Sequence, residues 1–325
     1  MINDPSTILS ASTPSHRAAP RWIASLLPAA TEVVCALGAR DRLVLRSHEC
    51  DEPAGVEEVP YVTEPKYTAD GTSYEIDERI RAIVQEGLSI YRVDAEGLGR
   101  IAPDLVITQE QCEVCAVSTG ELEAAMVEVL DPVPELLSLS PGDLDQALGD
   151  IVRIGAAIGE REAGEALVHS MRSRMEEVSR AVAPTPDAAR PTVLVIEWMD
   201  PLMVAGNWIP ELVQLAGGHP LIGRAGRHSP FVEWSEMRST DPDVIVVIPC
   251  GFTLGRTRTE VDRLRDLPGW AELRAVRAGR VALADGHHFF NRPGPRLVES
   301  VEILAEILFP DAIDRGHRGQ GWEPL

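Results

Sequence analysis

No stretch of this chain reaches the ~20 consecutive apolar residues that span a bilayer. Residues 1–20, MINDPSTILSASTPSHRAAP, have neither the positive start nor the apolar stretch of a secretory signal. These two absences give the expectation of a protein that stays in the cytoplasm. Basic runs are missing as well. Asp+Glu number 51 against Lys+Arg 30, a formal net charge of -21, which argues against nucleic acid and anionic membrane surfaces as partners. No nucleophile elbow, glycine-rich phosphate loop or Ser/His/Asp arrangement is present, so the expectation is a binding protein and not an enzyme. Aromatics make up only 5% of 325 residues, so where they gather carries information. No Gly/Ser linker or low-complexity tract interrupts the body.

What the chain does have is one pattern twice. Arg100-Ile-Ala-Pro103-Asp104-Leu-Val-Ile107 leads into a loop with Cys112, and Thr240-Asp-Pro242-Asp243-Val-Ile-Val-Val-Ile248 leads into a loop with Cys250. A short β-branched run bounded by Pro-Asp and a polar turn reads as a strand buried on both faces of a parallel sheet. Two such units predict two α/β lobes, and the ligands of open α/β sheets bind outside the carboxyl ends of the strands. A cleft between two lobes is therefore the expected site.

The order of segments fills in that frame. Residues 1–20 read as a polar tail and 21–140 as the first lobe, with strands at 22–27, 43–46, 104–107 and 136–139. Pro28 opens a helix that Gly38 ends. Residues 63–94 look like an insert with a helix near 76–86. Residues 141–186 read as one long, stiff joining helix, started at Ser140-Pro141-Gly142-Asp143 and stopped by Pro184 and Pro186. Residues 187–310 form the second lobe, and 311–325 a C-terminal tail. The fold class is α/β, two lobes with parallel-type sheets joined by a long helix. Such a joint implies a largely preformed cleft.

Ser25-Leu-Leu-Pro28-Ala-Ala-Thr31-Glu32, Pro103-Asp104-Leu-Val-Ile, Pro201 through Gly206 and Arg292-Pro-Gly-Pro295-Arg296 occur in an order and spacing that resembles the helix-linked class of ABC-importer substrate-binding proteins, most closely its cobalamin-binding members. The resemblance spans roughly 21–309. It implies a periplasmic-binding-protein-like fold and non-catalytic capture of a cobalamin, another corrinoid or a related metal chelate. By position, Glu96 and Glu236 are similar to the acidic residues through which such proteins dock on the ABC permease; helix electrostatics also favours an acid there. The sequence departs from the family in lacking an export signal, in a longer 64–93 stretch, and in its His48-Glu49-Cys50 and Cys112-x-x-Cys115 segments.

Three groups of residues are expected to carry binding. Cys112 and Cys115 have the spacing that turns two sulfurs to one metal ion. With His48 and Cys50 they make a Cys3His set suited to zinc or iron, although free thiols or a redox dithiol fit the same residues. Cys35 reads as a core thiol. Trp198, Trp208, Phe231, Trp234, Phe289 and Phe290 gather in the second lobe, where aromatic faces would grip a planar macrocycle; ordinary core packing is the alternative. Pro28, Glu64, Asn207 and Arg292 complete the ligand-binding set. Of His287 and His288, neighbours on a strand point to opposite sides, so His288 alone is expected to face the cleft and offer a nitrogen to cobalt or iron. The alternative function is a thiol-based metal-binding protein without a corrin.

Overall fold

The computed structural model describes residues 19–86, 90–109 and 129–325, together with Leu122, Met126 and Val127. The first lobe is built on a parallel sheet in the order β2-β1-β5-β6: β1 Ile23–Ser25, β2 Leu43–Arg46, β5 Leu105–Gln109 and β6 Glu135–Leu139. Two short strands, β3 Thr63–Pro65 and β4 Tyr91–Val93, pair antiparallel outside it. The second lobe has the order β12-β11-β10-β7-β8, made of β7 Thr192–Met199, β8 Leu202–Val204, β10 Val244–Val247, β11 Val281–Ala284 and β12 Trp322–Pro324, with β9 His219–Pro220 also beside β7. Its centre is parallel, and β8 and β12 add antiparallel edges. Every residue of β1, β10 and β11 is buried, as parallel strands covered by helices on both faces must be.

The Pro-Asp repeat does the same work in each lobe. Asp104 Oδ2 accepts the backbone N–H groups of Arg21 and Trp22, both at 2.8 Å, at the start of β1. Asp243 Oδ2 accepts the Thr192 N–H at 2.9 Å and its hydroxyl at 2.7 Å, at the start of β7. Each carboxylate thus holds the first residues of the neighbouring strand, satisfying donors that the sheet itself leaves open.

The joining segment is two helices instead of one. Leu144–Ala157 packs on the first lobe, and the 22-residue helix Arg161–Val182 joins the lobes. Gly159 at φ +82° breaks the run between them, and a Cβ on Gly164 would sit 3.2 Å from the Ile151 carbonyl of the preceding helix. The periodicity is continuous across the break, but the two glycines let the chain turn and the helices lie backbone to backbone. The cap of the first helix is Asp143, which accepts from Gln146 N at 2.8 Å, and not Ser140. One apolar core runs from Ile23 and Leu105 through Met171 and Met175 to Val244 and Leu304, so both sheets share the layer beneath the joining helices.

The insert spans the two lobes. Its helix, Ser73–Gln85, starts with a capping box between Thr72 and Glu75. Ile76 is buried in the second lobe's core with Trp198 and Met199. Tyr67 and Ile80 pack against the cores of both lobes. Ser73 N donates to Glu260 Oε2 at 2.9 Å, and Arg256 donates to the Gly71 carbonyl.

Asp243 gives the fold a test. Burial works against its charge, but the Thr192 donors and the nearby Arg274 outweigh that and hold its carboxyl below the ordinary range. A depressed folded-state pKa stabilises above the unfolded value of about 3.9 and loses that contribution as pH falls through the folded value. Asp243→Ala should cost about 1.5–3 kcal/mol in urea melts at neutral pH, and the gap to wild type should close as the solution is acidified. A gap that stays constant into acid would show that the carboxylate is not what holds β7.

Candidate functional site

The carboxyl ends of the strands in the two lobes meet along a polar seam. On the first lobe, β2 runs into Ser47-His48-Glu49-Cys50-Asp51. This loop is pinned from behind: Ser47 Oγ and Thr63 Oγ1 lie 2.9 Å apart, Thr63 Oγ1 accepts His48 N at 3.0 Å, and the Tyr91 hydroxyl donates to Glu49 Oε1 at 2.8 Å. Asp51 is left facing the other lobe. On the second lobe, β11 runs into Asp285 and a π-helical turn, Gly286–Phe290. A Cβ on Gly286 would fall 2.3 Å from the Pro249 carbonyl, so only glycine lets this turn lie against the exit of β10. Asp285 Oδ1 accepts His288 N at 2.8 Å, and its Oδ2 meets His288 Nδ1 at 3.0 Å, which orients the ring.

Arg292 closes the seam. Its Nη1 donates to Asp51 Oδ1 at 2.6 Å and to Glu32 Oε1 at 3.3 Å, and its Nη2 donates to the Glu49 carbonyl at 3.3 Å. Arg296 grips Glu32 with two parallel bonds, 2.9 and 2.7 Å, and lies 3.7 Å from Glu52. His287 Nε2 lies 2.7 Å from Asp51 Oδ2, and His288 Nε2 lies 3.8 Å from the same oxygen. The Arg292 and Glu32 side chains are 6% and 7% exposed, so this is an ion pair taken out of water. Burial pushes Asp51 up, but hydrogen bonds from His287 and Arg292 prevail and hold it well below the usual carboxylate range. The bond to Asp285 raises His288 above the ordinary imidazole value against the opposing pull of burial. Burial likewise opposes ionisation of Asp285, and His288 holds it below the usual range.

Both histidines point at Asp51, contrary to the expectation that only His288 would. The alternation rule belongs to strands; in the π-helical turn the two rings stand edge to face with centroids 4.6 Å apart. The aromatic set is not brought to one surface. Phe290 is 0% exposed in the shared core, and Trp208 Nε1 donates to its carbonyl at 2.9 Å. Trp198 packs edge-on to Phe252 in the second lobe's separate core. Trp234 leans on Trp270 and donates to the Pro268 carbonyl. Phe231, 56% exposed, lies under the Arg81 guanidinium of the insert. Of the six, Phe289 is the one beside the seam, with the Arg296 guanidinium over its ring. Pro28 sits half-buried at the first turn of its helix, Glu64 is exposed and paired with Arg92 at 2.8 Å, and Asn207 takes a left-handed turn at φ 49°.

The expected thiol site is not assembled at this seam among the described residues. Cys50 is 1% exposed, its sulfur is bonded by the Thr31 hydroxyl at 3.0 Å, and burial pushes its thiol up to about 11. His48 turns its Nδ1 to Thr63 Oγ1 at 2.8 Å. Cys112 and Cys115 lie outside the described residues. Glu96 and Glu236 are both exposed in the first turns of short helices. The residues that sequence reasoning passed over are Glu32, Asp51, Asp285, His287 and Arg296. Asp51 was adjacent to the loop singled out for its thiol, and Asp285-Gly286 preceded the histidine pair; acids beside imidazoles were the signal.

A concavity of about 610 Å³ lies at the opposite end of the first sheet, lined by Trp22, Arg40, Leu43, Val59, Arg100 and Ile101. It opens at the strand starts, away from the ends where α/β sheets bind ligands. Where Pro293 meets the first lobe, only about 20 Å³ is left, beside Leu27, Ala30, Gln109 and Leu139. That is about one water. Among the described residues, ion pairs occupy the seam where a preformed cleft is expected.

An interlobe seam between two parallel sheets joined by a long helix defines a solute-binding protein, and the family comparison agrees. The periplasmic binding protein family model matches residues 23–287, and the chain belongs to that family. A Bacillus subtilis protein described as an uncharacterized ABC transporter substrate-binding lipoprotein, YvrC, is 25% identical over 295 residues, covering 90% of this chain and 81% of that one. Among solved structures, a periplasmic haem-binding protein from Pseudomonas aeruginosa superposes with a TM-score of 0.67 at 21% identity, covering 90% of this chain and 94% of that one. The periplasmic vitamin B12-binding protein BtuF of Vibrio cholerae superposes at 0.62 with 20% identity, covering 89% and 96%. The expectation of a cytoplasmic protein is therefore corrected: the family is periplasmic or extracellular, and the Bacillus subtilis relative is a lipoprotein.

If the buried pair holds the lobes together, Glu32→Gln should lower stability by about 3 kcal/mol, since Arg292 loses a charged partner where water does not reach. Small-angle scattering should show a larger radius of gyration than wild type. Unchanged stability together with an unchanged radius would assign closure to the apolar contacts alone.

Proposed function

We propose that this protein is the solute-binding component of an ABC importer, and that it takes a tetrapyrrole-type metal chelate, a corrinoid or a haem, between its lobes. The observation that carries the reading is the seam itself. Imidazoles, guanidiniums and carboxylates from opposite lobes converge at the strand ends, where a solute bearing a metal and acidic side groups would find both ligands and counter-charges. The structural relatives that bind haem and vitamin B12 support the choice of chelate class. Of the expected ligand set, His288, Phe289 and Arg292 are assigned to binding. Trp198, Trp208 and Phe290 are assigned to the cores.

In this reading the seam must open to admit a macrocycle, because Arg292 and His287 are bonded across it to Asp51. Arg292 and Arg296 then exchange Glu32 and Asp51 for acidic groups of the solute. Glu96 and Glu236 are the proposed permease contacts. Each lies in the first turn of a short helix that leads into a repeat strand. The thiol alternative gains nothing from Cys50, whose sulfur lies inside the first lobe.

The test is a visible absorption titration of purified protein with hydroxocobalamin and, separately, with haemin. A saturable spectral change at one equivalent with either chelate supports the reading, and His288→Ala should remove the part of the change that reports nitrogen ligation. The absence of any change with both chelates would overturn it.

A further inference from the structure

The seam holds a group of side chains of which the chelate reading uses only His288 as a ligand. The carboxylate of Asp51 and ring nitrogens of His287 and His288 lie within 4.8 Å of one another. Around one tetrahedral ion with bonds near 2.1 Å, ligand atoms are ~3.4 Å apart. Asp51 Oδ2 lies 2.7 Å from His287 Nε2 and 3.8 Å from His288 Nε2, on either side of that spacing. We propose that Asp51, His287 and His288 form a binding site for a divalent transition-metal ion that bridges the two lobes.

Three features of the surroundings support it. First, His287 Nε2 has Asp51 Oδ2 at 2.7 Å and Arg292 Nη2 also at 2.7 Å. A nitrogen that accepts from Arg292 has no proton to give the carboxylate. One that donates to the carboxylate turns an N–H toward the guanidinium. An ion on that nitrogen makes Nε2 and Oδ2 neighbouring ligands and requires Arg292 Nη2 to withdraw from Nε2 toward the Glu49 carbonyl, while Nη1 keeps Asp51 Oδ1 and Glu32. Second, His288 has the outer partner that metal-ligating imidazoles ordinarily have. Asp285 engages Nδ1 at 3.0 Å, which leaves Nε2 to bind. Third, the charge is right. Glu32, Asp51, Glu52 and Asp285 outnumber Arg292 and Arg296 at the seam, which favours a cation there.

Two imidazoles and one carboxylate select zinc, iron, cobalt or nickel over calcium and magnesium, which need more oxygen ligands. Three protein ligands leave a position open. Because Asp51 belongs to one lobe and both histidines to the other, the ion binds the closed form and stabilises it. The site belongs to the closed form, whereas the solute of the proposed function enters the open one and takes His288.

The experiment is calorimetric titration of chelator-stripped full-length protein with zinc chloride, with the visible spectrum of the cobalt(II) form as second readout. One equivalent should bind. The His287→Ala/His288→Ala double variant should lose more than about 100-fold in affinity, and Asp285→Asn, which keeps all three ligands, about 10-fold or more. The Cys112→Ser/Cys115→Ser variant should bind as wild type does, and the cobalt form should show no thiolate-to-metal charge-transfer band. Should the double histidine variant fail to match wild type by circular dichroism in chelator, Asp51→Asn provides the same comparison. Absent zinc binding, binding untouched by the histidine or Asp51 variants, or a thiolate band that vanishes with Cys112 and Cys115 would each overturn the proposal. The zinc titration reads this site separately from the hydroxocobalamin and haemin titrations, so either reading can fail alone.

Discussion

Arg292 is a buried cation on one lobe whose oxygen acceptors, Glu32, Asp51 and the Glu49 carbonyl, all belong to the other. Removing a guanidinium from water costs several kcal/mol unless charged partners meet it with good geometry. Those partners exist only while the lobes are together. The alternative for Arg292 is full hydration, which requires the lobes to part far enough for water to enter. A half-open seam satisfies neither condition. The interface is therefore biased toward two arrangements, closed and open, without any need for a flexible joint.

The rest of the molecule is arranged around that choice. The strand ends deliver the charged side chains, and the Pro-Asp carboxylates fix where β1 and β7 begin and so how far each end reaches. The joining helix Arg161–Val182 ties itself to the last helix, Leu297–Leu308, through Arg174 and Glu302 at 3.0 Å. That helix follows directly on Arg292 and Arg296, so the element that spans the lobes also supports the segment that closes them. Opening must then bend at the seam and at the insert, since the shared apolar core beneath the helices offers no cheap separation.

Much of this was legible in the sequence because it rests on local patterns. Apolar runs of β-branched residues gave the strands, and Pro-Asp marked where two of them start. What could not be read was partnership. Trp198 and Trp208 lie close in chain order yet go to different cores, Trp208 joining Phe290 in the shared one, because the direction of a side chain depends on sheet twist and packing that a single periodicity does not encode. Cys50 looked like a ligand beside a polar loop; its thiol instead turns inward to Thr31. Asp51, one residue on, faces the seam, and a one-residue shift in a loop is enough to exchange a buried position for a functional one. The compartment was misread because it was argued from what the first residues lack, which family membership overrides.

The histidine pair shows where such a shift has the largest chemical effect. Read as a strand, Gly286-His287-His288 would send one ring to each side of the sheet. The π-helical turn brings both to one carboxylate, and it is imposed from outside the segment: Asp285 caps it, and the Pro249 carbonyl leaves no room for a Cβ at position 286. π-helical turns are rare and concentrate at functional sites, and this one has the same consequence that usually accounts for them. It places two adjacent donors on one side, at the point where the other lobe supplies Asp51 and where the buried guanidinium has already drawn the lobes together.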